Sequence, residues 1–380
     1  MDFINPSLPY IMKDLSVSQE ATKGLVATYI LAIGCAQIFY GAFSDNYGRR
    51  RAIILAFTIA VVGFILSALS RNIFMLYLAR FITAAGIAGS PVITRALIAD
   101  VCHDEPALKK AFAYFAMSSQ LSPALAPILG GIIQEYASWQ FSFVALALIN
   151  LATVIFLYYA LPESHQPPLQ KKLLREQLEI YTSFLTMRRF MIFCFLSSLV
   201  MVFTMGYYSL IPFILHSMGI NAAENGLMCV PYAGGLTLGA YTLSRCLYRF
   251  SSEKTFIAMI CFYLLFFTIF SVISIWYANI WLIGLFGFVV GFICGISAAL
   301  TLSLCMQGFK QNRGAASAMQ AAIRYFSTGA VLLSCNFIEI TRLNQLVLIF
   351  LGVSLAIAVL YGIEHYFKSR TTQIMHTKSP

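Results

Sequence analysis

Residues 41–51 read GAFSDNYGRRR. Before this stretch, residues 20–42 carry charge only at Glu20 and Lys23, and after it residues 52–70 carry none. About 20 apolar residues rising about 1.5 Å each cross a hydrocarbon core of about 30 Å. The stretch therefore reads as a short charged turn between two membrane-crossing helices. Asp45, Asn46, Tyr47 and Gly48 supply the turn residues, with Gly48 free to adopt a positive φ. Arg49, Arg50 and Arg51 mark the membrane face on which the turn lies.

The pattern continues in both directions. Further apolar runs lie near 73–99, 110–134, 139–161, 190–215, 222–246, 254–277, 280–307, 314–338 and 343–366, and a short piece, 1–12, precedes them all. The breaks hold charge or turn residues, such as Arg71-Asn72, Asp104-Glu105-Pro106 and Asn279. Of the 380 residues, 59% are hydrophobic and 11% charged, and the mean hydropathy is +0.79. Soluble domains average about 25% charged residues. This composition excludes a soluble enzyme, a disordered chain and a collagen-like fibre, and leaves an all-α integral membrane protein. The 9 cysteines form no C-x-x-C pair and read as small core residues in a reduced setting. No H-E-x-x-H, G-x-S-x-G or Walker A motif occurs, so neither a membrane protease, a hydrolase nor an ATP-driven pump is expected. The first residues have no basic n-region and no small-residue cleavage site.

The net charge of +10 is explained by where the cations fall rather than by a nucleic-acid partner, and none is expected. One set of breaks holds Arg49, Arg50, Arg51, Lys109, Lys110, Arg188, Arg189, Arg245, Lys310 and Lys368 among others. The opposite set holds only Lys13, Lys23, Arg71 and Arg342. By the positive-inside rule the basic set is cytoplasmic. The C-terminus is then cytoplasmic too, and 162–189 is a cytoplasmic linker whose QKKLLREQLEIY part could lie along the membrane as an amphipathic helix or act as a solvated tether. The expected organisation is a helical bundle at 1–161, the linker at 162–189, a second bundle at 190–367 and a tail at 368–380.

The halves look alike. Gly41-Ala42-Phe43-Ser44 closes one span and precedes a basic cluster, and Gly239-Ala240-Tyr241-Thr242 does the same in the second half. Matched by span position, the pair predicts two six-helix bundles related by pseudo-symmetry. The same offset, applied to the span that begins near Phe190, places the start of the first span before Met1. The 12 residues of the opening piece would rise only about 18 Å. A truncated or misassigned first helix is expected.

GAFSDNYGRRR resembles the G-x-x-x-D-x-x-G-R-[RK] loop of the major facilitator superfamily. In that reading Gly41 permits close helix approach, Asp45 caps the next helix and pairs with arginine, and Arg49 and Arg50 supply the counter-charge. The second-half copy has Leu243 and Cys246 where Asp45 and Gly48 would align, and has lost the device. Arg80 in ARFITAAGIAG resembles the superfamily's fourth-helix motif. SSQLSPALAPILGG, residues 118–131, resembles its antiporter helix, with Pro123 and Pro127 bending the span and Gly130 and Gly131 admitting a neighbour. Trp139 with Phe143 and the exit Leu161-Pro162-Glu163 also fit. The D-x-x-x-P-x-L-P pattern at 2–9, with Arg95 and Asp100, is most similar to the bicyclomycin-resistance-type drug/proton antiporters. The resemblance implies a monomeric, proton-coupled exporter in a bacterial inner membrane that needs no cofactor or metal. Gln140 stands where that group has arginine, Ala84 where it has glycine, and Arg324 where it has an uncharged residue.

Counting about 1.5 Å per residue from the nearest membrane-edge cation places Asp2, Arg80, Arg324 and Gln120 all about 14–16 Å deep. A midplane charge is costly unless paired or hydrated, so it is functional by default. Asp2, the only acid at that depth, is the expected proton carrier, and Arg80 a coupling residue or a brace. Arg324 either binds an anionic substrate or braces the second half. Gln120, Tyr207, Tyr208 and Tyr232 are candidates for a substrate cavity, although generic packing competes for each tyrosine. By the same measure Arg95 lies at the cytoplasmic boundary, where it is expected to form a gating pair with Asp100 beside the Asp45 loop. Gly287, Gly291 and Gly295 predict close helix packing. The leading expectation is export of small amphipathic compounds by alternating access, with protons and the bilayer as partners. The alternatives are a carrier for an anionic metabolite or carboxylate siderophore, and a non-transporting membrane scaffold or sensor. The intact loop and antiporter helix argue against the last.

Overall fold

Apolar runs offer backbone N–H and C=O groups no water, so they satisfy them internally as helices. The structure is a computed structural model, and it describes residues 2–102, 104–164, 179, 182–246, 250–277, 279–307, 313–335, 337–338 and 340–377. Most of the proposed linker, including nearly all of QKKLLREQLEIY, lies outside the described residues. Among the described residues there is no strand.

A 3-10 turn at Asp2–Ser7 leads into the short α1 (Leu8–Asp14). There follow α2 (Gln19–Tyr47), α3 (Arg49–Ala68), α4 (Ile73–Ile87), α5 (Gly89–Val101), α6 (Glu105–Tyr136) and α7 (Trp139–Ala160). The second half comprises α8 (Arg188–Ser217), α9 (Ala222–Leu227), α10 (Cys229–Cys246), α11 (Ser252–Trp276), α12 (Ile280–Met306), α13 (Arg313–Cys335) and α14 (Leu343–Thr377). Helix starts follow the polar residues in the breaks. Ser18, Asn72, Asp104, Asn221, Ser251 and Asn279 each accept a first-turn backbone N–H.

Several spans differ from the sequence expectation. Among the described residues nine segments are long and apolar enough to cross a membrane, with α4 and α5 counted as one. The run at 222–246 is not a single helix, because the chain turns at Met228 between α9 and α10. The run at 73–99 is divided at Ala88. Apart from the short α1 and α9, the helices missing from the nine are α10 and α13, and part of the polarity of α13 is used internally. Gln320 donates to Ser197 Oγ at 3.0 Å, and Thr328 donates to the Ser198 carbonyl at 3.0 Å, so one face of α13 is polar because it meets α8. The glycine series of α12 does pack a neighbour. A Cβ on Gly291 would lie 2.0 Å from the Tyr232 carbonyl oxygen, so only glycine lets α10 come that close.

The cores separate along the chain. One large apolar cluster takes all its buried residues from the second half, from Phe184 to Tyr361. Two smaller clusters lie in the first half, with Phe213 and Leu332 joining one of them from across the interface. The molecule is therefore two helical bundles in contact, the architecture predicted from the repeat.

Candidate functional site

The turn at residues 44–51 organises one end of the first half. α2 does not stop at Ala42 but runs through Tyr47, so Asp45 lies within a helix and not in a loop. Gly41 is an interior residue of α2 whose carbonyl accepts from Ser44 Oγ at 3.1 Å. The helix ends at Gly48, whose φ of +94° is a left-handed conformation that other residues rarely adopt. Since α3 begins at once, its first N–H groups have no partner within the helix. Asp45 does not cap them. Glu163, just past α7, takes the Arg49 N–H at 2.8 Å and the Arg50 N–H at 3.3 Å. An acid there also suits the positive end of the helix dipole.

Arg49 is the hub of the cluster. Its Nη1 reaches back one turn to Asp45 at 2.5 Å and to Ser44 Oγ at 2.7 Å, while its Nε meets Asp100 of α5 at 2.9 Å. Arg50 donates to the Tyr158 carbonyl at 2.5 Å and lies over the Tyr158 ring. All these bonds join α2, α3, α5 and the end of α7, so the hub belongs to the first half. Arg95 is not the partner of Asp100, as the spacing suggested. It lies one and a half turns earlier on α5, and its Nε donates to the Pro91 carbonyl at 2.8 Å.

The opposite end of the molecule fastens the halves together. Pro127 has no N–H, so the Pro123 carbonyl one turn earlier lacks its helical donor. The Tyr208 hydroxyl of α8 donates to that carbonyl at 3.1 Å. Glu135 of α6 accepts the Ala222 N–H at 3.2 Å. Lys23 donates to the Ile338 carbonyl at 2.8 Å, and Gln19 exchanges bonds with the Ile340 backbone at 2.9 and 3.2 Å. The antiporter-like helix α6 meets its neighbours through glycine. A Cβ on Gly130 would lie 1.7 Å from the Phe3 carbonyl oxygen, and one on Gly131 would lie 2.3 Å from that of Ala222.

Arg80 is buried inside the first bundle, 4.0 Å from the Tyr29 ring centroid and 5.7 Å from that of Phe143. The side chains of Asp2 and Gln120 lie outside the described residues. Tyr207, Tyr208 and Tyr232 do not line an open cavity. They are buried and packed together, with Tyr207 and Tyr232 stacked at 5.0 Å. Their hydroxyls are also engaged. Tyr207 donates to the Met228 carbonyl at 3.0 Å and Tyr232 to Thr204 Oγ1 at 2.8 Å. Tyr207 and Tyr208 wall a small pocket with Asn5 and Asn225. A separate apolar cavity of about 550 Å³ lies within the second half, among Leu243, Met259, Phe262 and Phe292, away from the interface.

Some of the polar anchors were not read from the sequence. Asn5 is 1% exposed, and neither its amide oxygen nor its nitrogen has a partner among the described residues. Asp14 accepts from Trp139 Nε1 at 2.9 Å and Gln140 Nε2 at 3.4 Å. Gln140 thus meets a carboxylate from the position where the resembled group has arginine. Glu163 was visible only as an acid that directly follows a span.

Fold and site define a polytopic membrane protein of two helical halves fastened at one end, with a charge hub at the other. The chain belongs to the Major Facilitator Superfamily, whose family model matches residues 1–332. It is 26% identical over 255 residues to the chloramphenicol resistance protein CraA of Acinetobacter baumannii, covering 67% of this chain and 61% of the relative. It is 26% identical over 166 residues to a bicyclomycin resistance protein homolog of Haemophilus influenzae, covering 44% and 42%. The chain therefore spans about half the length of these relatives. Among solved structures, a D-xylose-proton symporter superposes with a TM-score of 0.77 at 15% identity, covering 95% of this chain and 93% of that one. A bacterial homologue of the human lysosomal transporter Spinster superposes with a TM-score of 0.71 at 14% identity, covering 95% and 93%. The chain is a multi-pass membrane protein of this superfamily.

Proposed function

We propose that this transporter is a proton-coupled exporter of small amphipathic compounds in a bacterial inner membrane. It works by alternating access as a monomer. The observation that carries the reading is the asymmetry of the interface. Cross-half bonds gather at the Lys23–Glu135–Tyr208 end, while the Arg49 hub makes its bonds within the first half. A carrier with one central site must close on one side while it opens on the other. With basic breaks and the C-terminus in the cytoplasm, the fastened end faces the periplasm and the hub the cytoplasm. The moving bodies are residues 1–161 and 190–367, joined by a linker at 162–189, with 368–380 as a tail. The names of the relatives, which include a multidrug resistance protein D, favour drug efflux.

Asp2 carries the proton in this reading, and Arg80 couples its titration to the first bundle. An acid in the membrane interior is neutral when desolvated and charged when a cation or water reaches it. Alternation between those settings takes up and releases a proton in each cycle. Gly41, Asp45, Gly48, Arg49, Arg50 and Asp100 form the gate. Two substitutions test the scheme with purified protein and inverted membrane vesicles. Asp2→Asn should abolish substrate-induced proton release. Asp45→Asn should stop dye uptake into the vesicles while leaving the apparent melting temperature nearly unchanged, because Asp100 still holds Arg49. Normal uptake by Asp45→Asn would remove the gate, and normal proton release by Asp2→Asn would remove the carrier.

A further inference from the structure

The cavity of about 550 Å³ in the second half follows from how three helices pack. Glycine draws α10 and α12 together. A Cβ on Gly239 would lie 2.3 Å from the Phe292 carbonyl oxygen, and one on Gly295 would lie 2.2 Å from that of Leu236. α11 contains no glycine. It meets α12 through bulk instead, with the Phe262 and Phe292 rings 6.3 Å apart. The space left between α11 and the α10–α12 pair is the cavity, a crevice lined from the three helices by Thr242, Met259, Phe262 and Phe292 among others. Ala258 and Phe262 on its α11 wall are exposed, so the crevice opens on the outer surface of the bundle. In a membrane that surface faces lipid.

The crevice follows the depth of one leaflet. Lys254 stands in the first turn of α11, and Phe262 lies eight residues further on, about 12 Å deeper. One leaflet of a hydrocarbon core of about 30 Å is about 15 Å deep. The polar groups of the lining gather at the outer end. Two of them are already committed: the Thr255 hydroxyl donates to the Ser251 carbonyl at 3.1 Å and the Thr242 hydroxyl to the Leu238 carbonyl at 2.8 Å. Lys254 is different. It is exposed and has no ion pair among the described residues, while its neighbour Glu253 is bound to Lys368. It also differs from Arg324, another second-half cation, whose Nε is buried without a hydrogen bond and whose guanidinium lies over the Tyr325 ring at 5.1 Å. Lys254 can meet a ligand that arrives from the bilayer.

We propose that this crevice binds an anionic phospholipid of the cytoplasmic leaflet, with one acyl chain between α10, α11 and α12 and the headgroup phosphate on Lys254. The choice of leaflet rests on the orientation given by the basic breaks; the site itself does not depend on the exporter reading. An acyl chain matches an apolar slot that runs from the membrane edge towards the midplane. The walls hold any such chain, because apolar contact is blind to the headgroup. The cation at the mouth adds the preference for negative charge, as basic pockets between helices on the cytoplasmic side do.

The test uses the purified full chain, delipidated in dodecyl maltoside, and counts bound lipid by native mass spectrometry. The probes are dioleoyl phosphatidylglycerol, dioleoyl phosphatidylcholine and sodium oleate. Phosphatidylglycerol should bind about fivefold more tightly than phosphatidylcholine, and Lys254→Gln should erase that difference. Ala258→Trp, which fills the crevice from an exposed position, should abolish binding of both. Lys254 and Ala258 are exposed, so neither variant should lower the melting temperature measured without lipid. Arg245→Gln removes a cation near the same end of α10 that does not line the crevice, and should leave lipid binding unchanged. Equal binding of the two phospholipids by the unaltered chain would overturn the proposal. So would undiminished binding in Ala258→Trp, or a loss in Arg245→Gln as large as that in Lys254→Gln, which would reduce the preference to general surface charge. Oleate bound as tightly as phosphatidylglycerol would also overturn it, by making the crevice a fatty-acid site.

Discussion

The turn between α2 and α3 and its counterpart between α10 and α11 descend from one plan but are stabilised by different physics. In the first, Arg49 is buried among Asp45, Asp100 and Ser44, and Glu163 closes the helix start. In the second, Leu243 takes the place of Asp45 and is buried in the apolar core. Among the described residues the nearby Arg245 bonds the Tyr241 hydroxyl and lies over its ring, one turn back on its own helix. Apolar packing holds its partners without a preferred direction, whereas an ionic hub is satisfied in one geometry and strongly penalised in others. Of these two turns only the first holds an ionic hub among the described residues, while the second half has ion pairs elsewhere, Arg189 with Glu364 and Lys368 with Glu253.

The widest contrast between the two turns comes from removing the hub. Arg49→Met should leave Asp45 and Asp100 facing each other without a cation. Loss of one partner from a buried pair costs about 3–5 kcal/mol, and about 2–3 kcal/mol is expected here because Asp45 is partly exposed. Thermal unfolding in detergent should show a clearly lowered midpoint, together with lost transport. An unchanged midpoint would mean that the hub is no more structural than its apolar counterpart.

A smaller effect is expected from Gly48→Ala. The backbone must hold φ +94°, and the new Cβ would lie 2.4 Å from Glu163 Oε2. Strain of this kind costs about 1–3 kcal/mol. Adding Glu163→Ala should relieve the collision but not the backbone conformation, and it also removes the acceptor of the Arg49 and Arg50 N–H groups, so the double variant should recover only part of the loss relative to Glu163→Ala alone. Full recovery would show that φ carries none of the cost.

The smallest change is predicted for Arg245→Ala in the second-half turn. Its bond is exposed and local, so stability should move by less than about 0.5 kcal/mol and vesicle transport should persist. A large loss at this position would dissolve the distinction between the two turns.

Gly48 was legible in the sequence because its requirement is local: a turn residue between two spans, followed at once by arginines. The spans themselves were legible for the same reason, since hydropathy is summed over neighbours. What failed was pairing across the chain. Glu163 lies far along the chain from Arg49, and no spacing rule links an acid after α7 to the start of α3. Arg95 was assigned to Asp100 because depth along a helix axis says nothing of rotation about it, and the Arg95 Nε is bonded instead to the Pro91 carbonyl of its own helix. The tyrosines were read as cavity lining because composition cannot distinguish an exposed aromatic face from one already stacked. In α13 two of the polar residues that lowered the hydropathy, Gln320 and Thr328, are those that meet a neighbouring helix.

The bonds that fasten the halves share one property. Tyr208, Glu135, Lys23 and Gln19 each engage a main-chain atom of the other half, at Pro123, Ala222, Ile338 and Ile340. A main-chain atom is present whatever side chain its position carries. The exposed residue at 338 can drift over evolutionary time without undoing its bond, whereas Ala222 and Ile340 are also constrained by burial. The exception is Pro123, whose carbonyl is available only because Pro127, four residues on, cannot donate to it. At that point the constraint passes from the bonded residue to its neighbour.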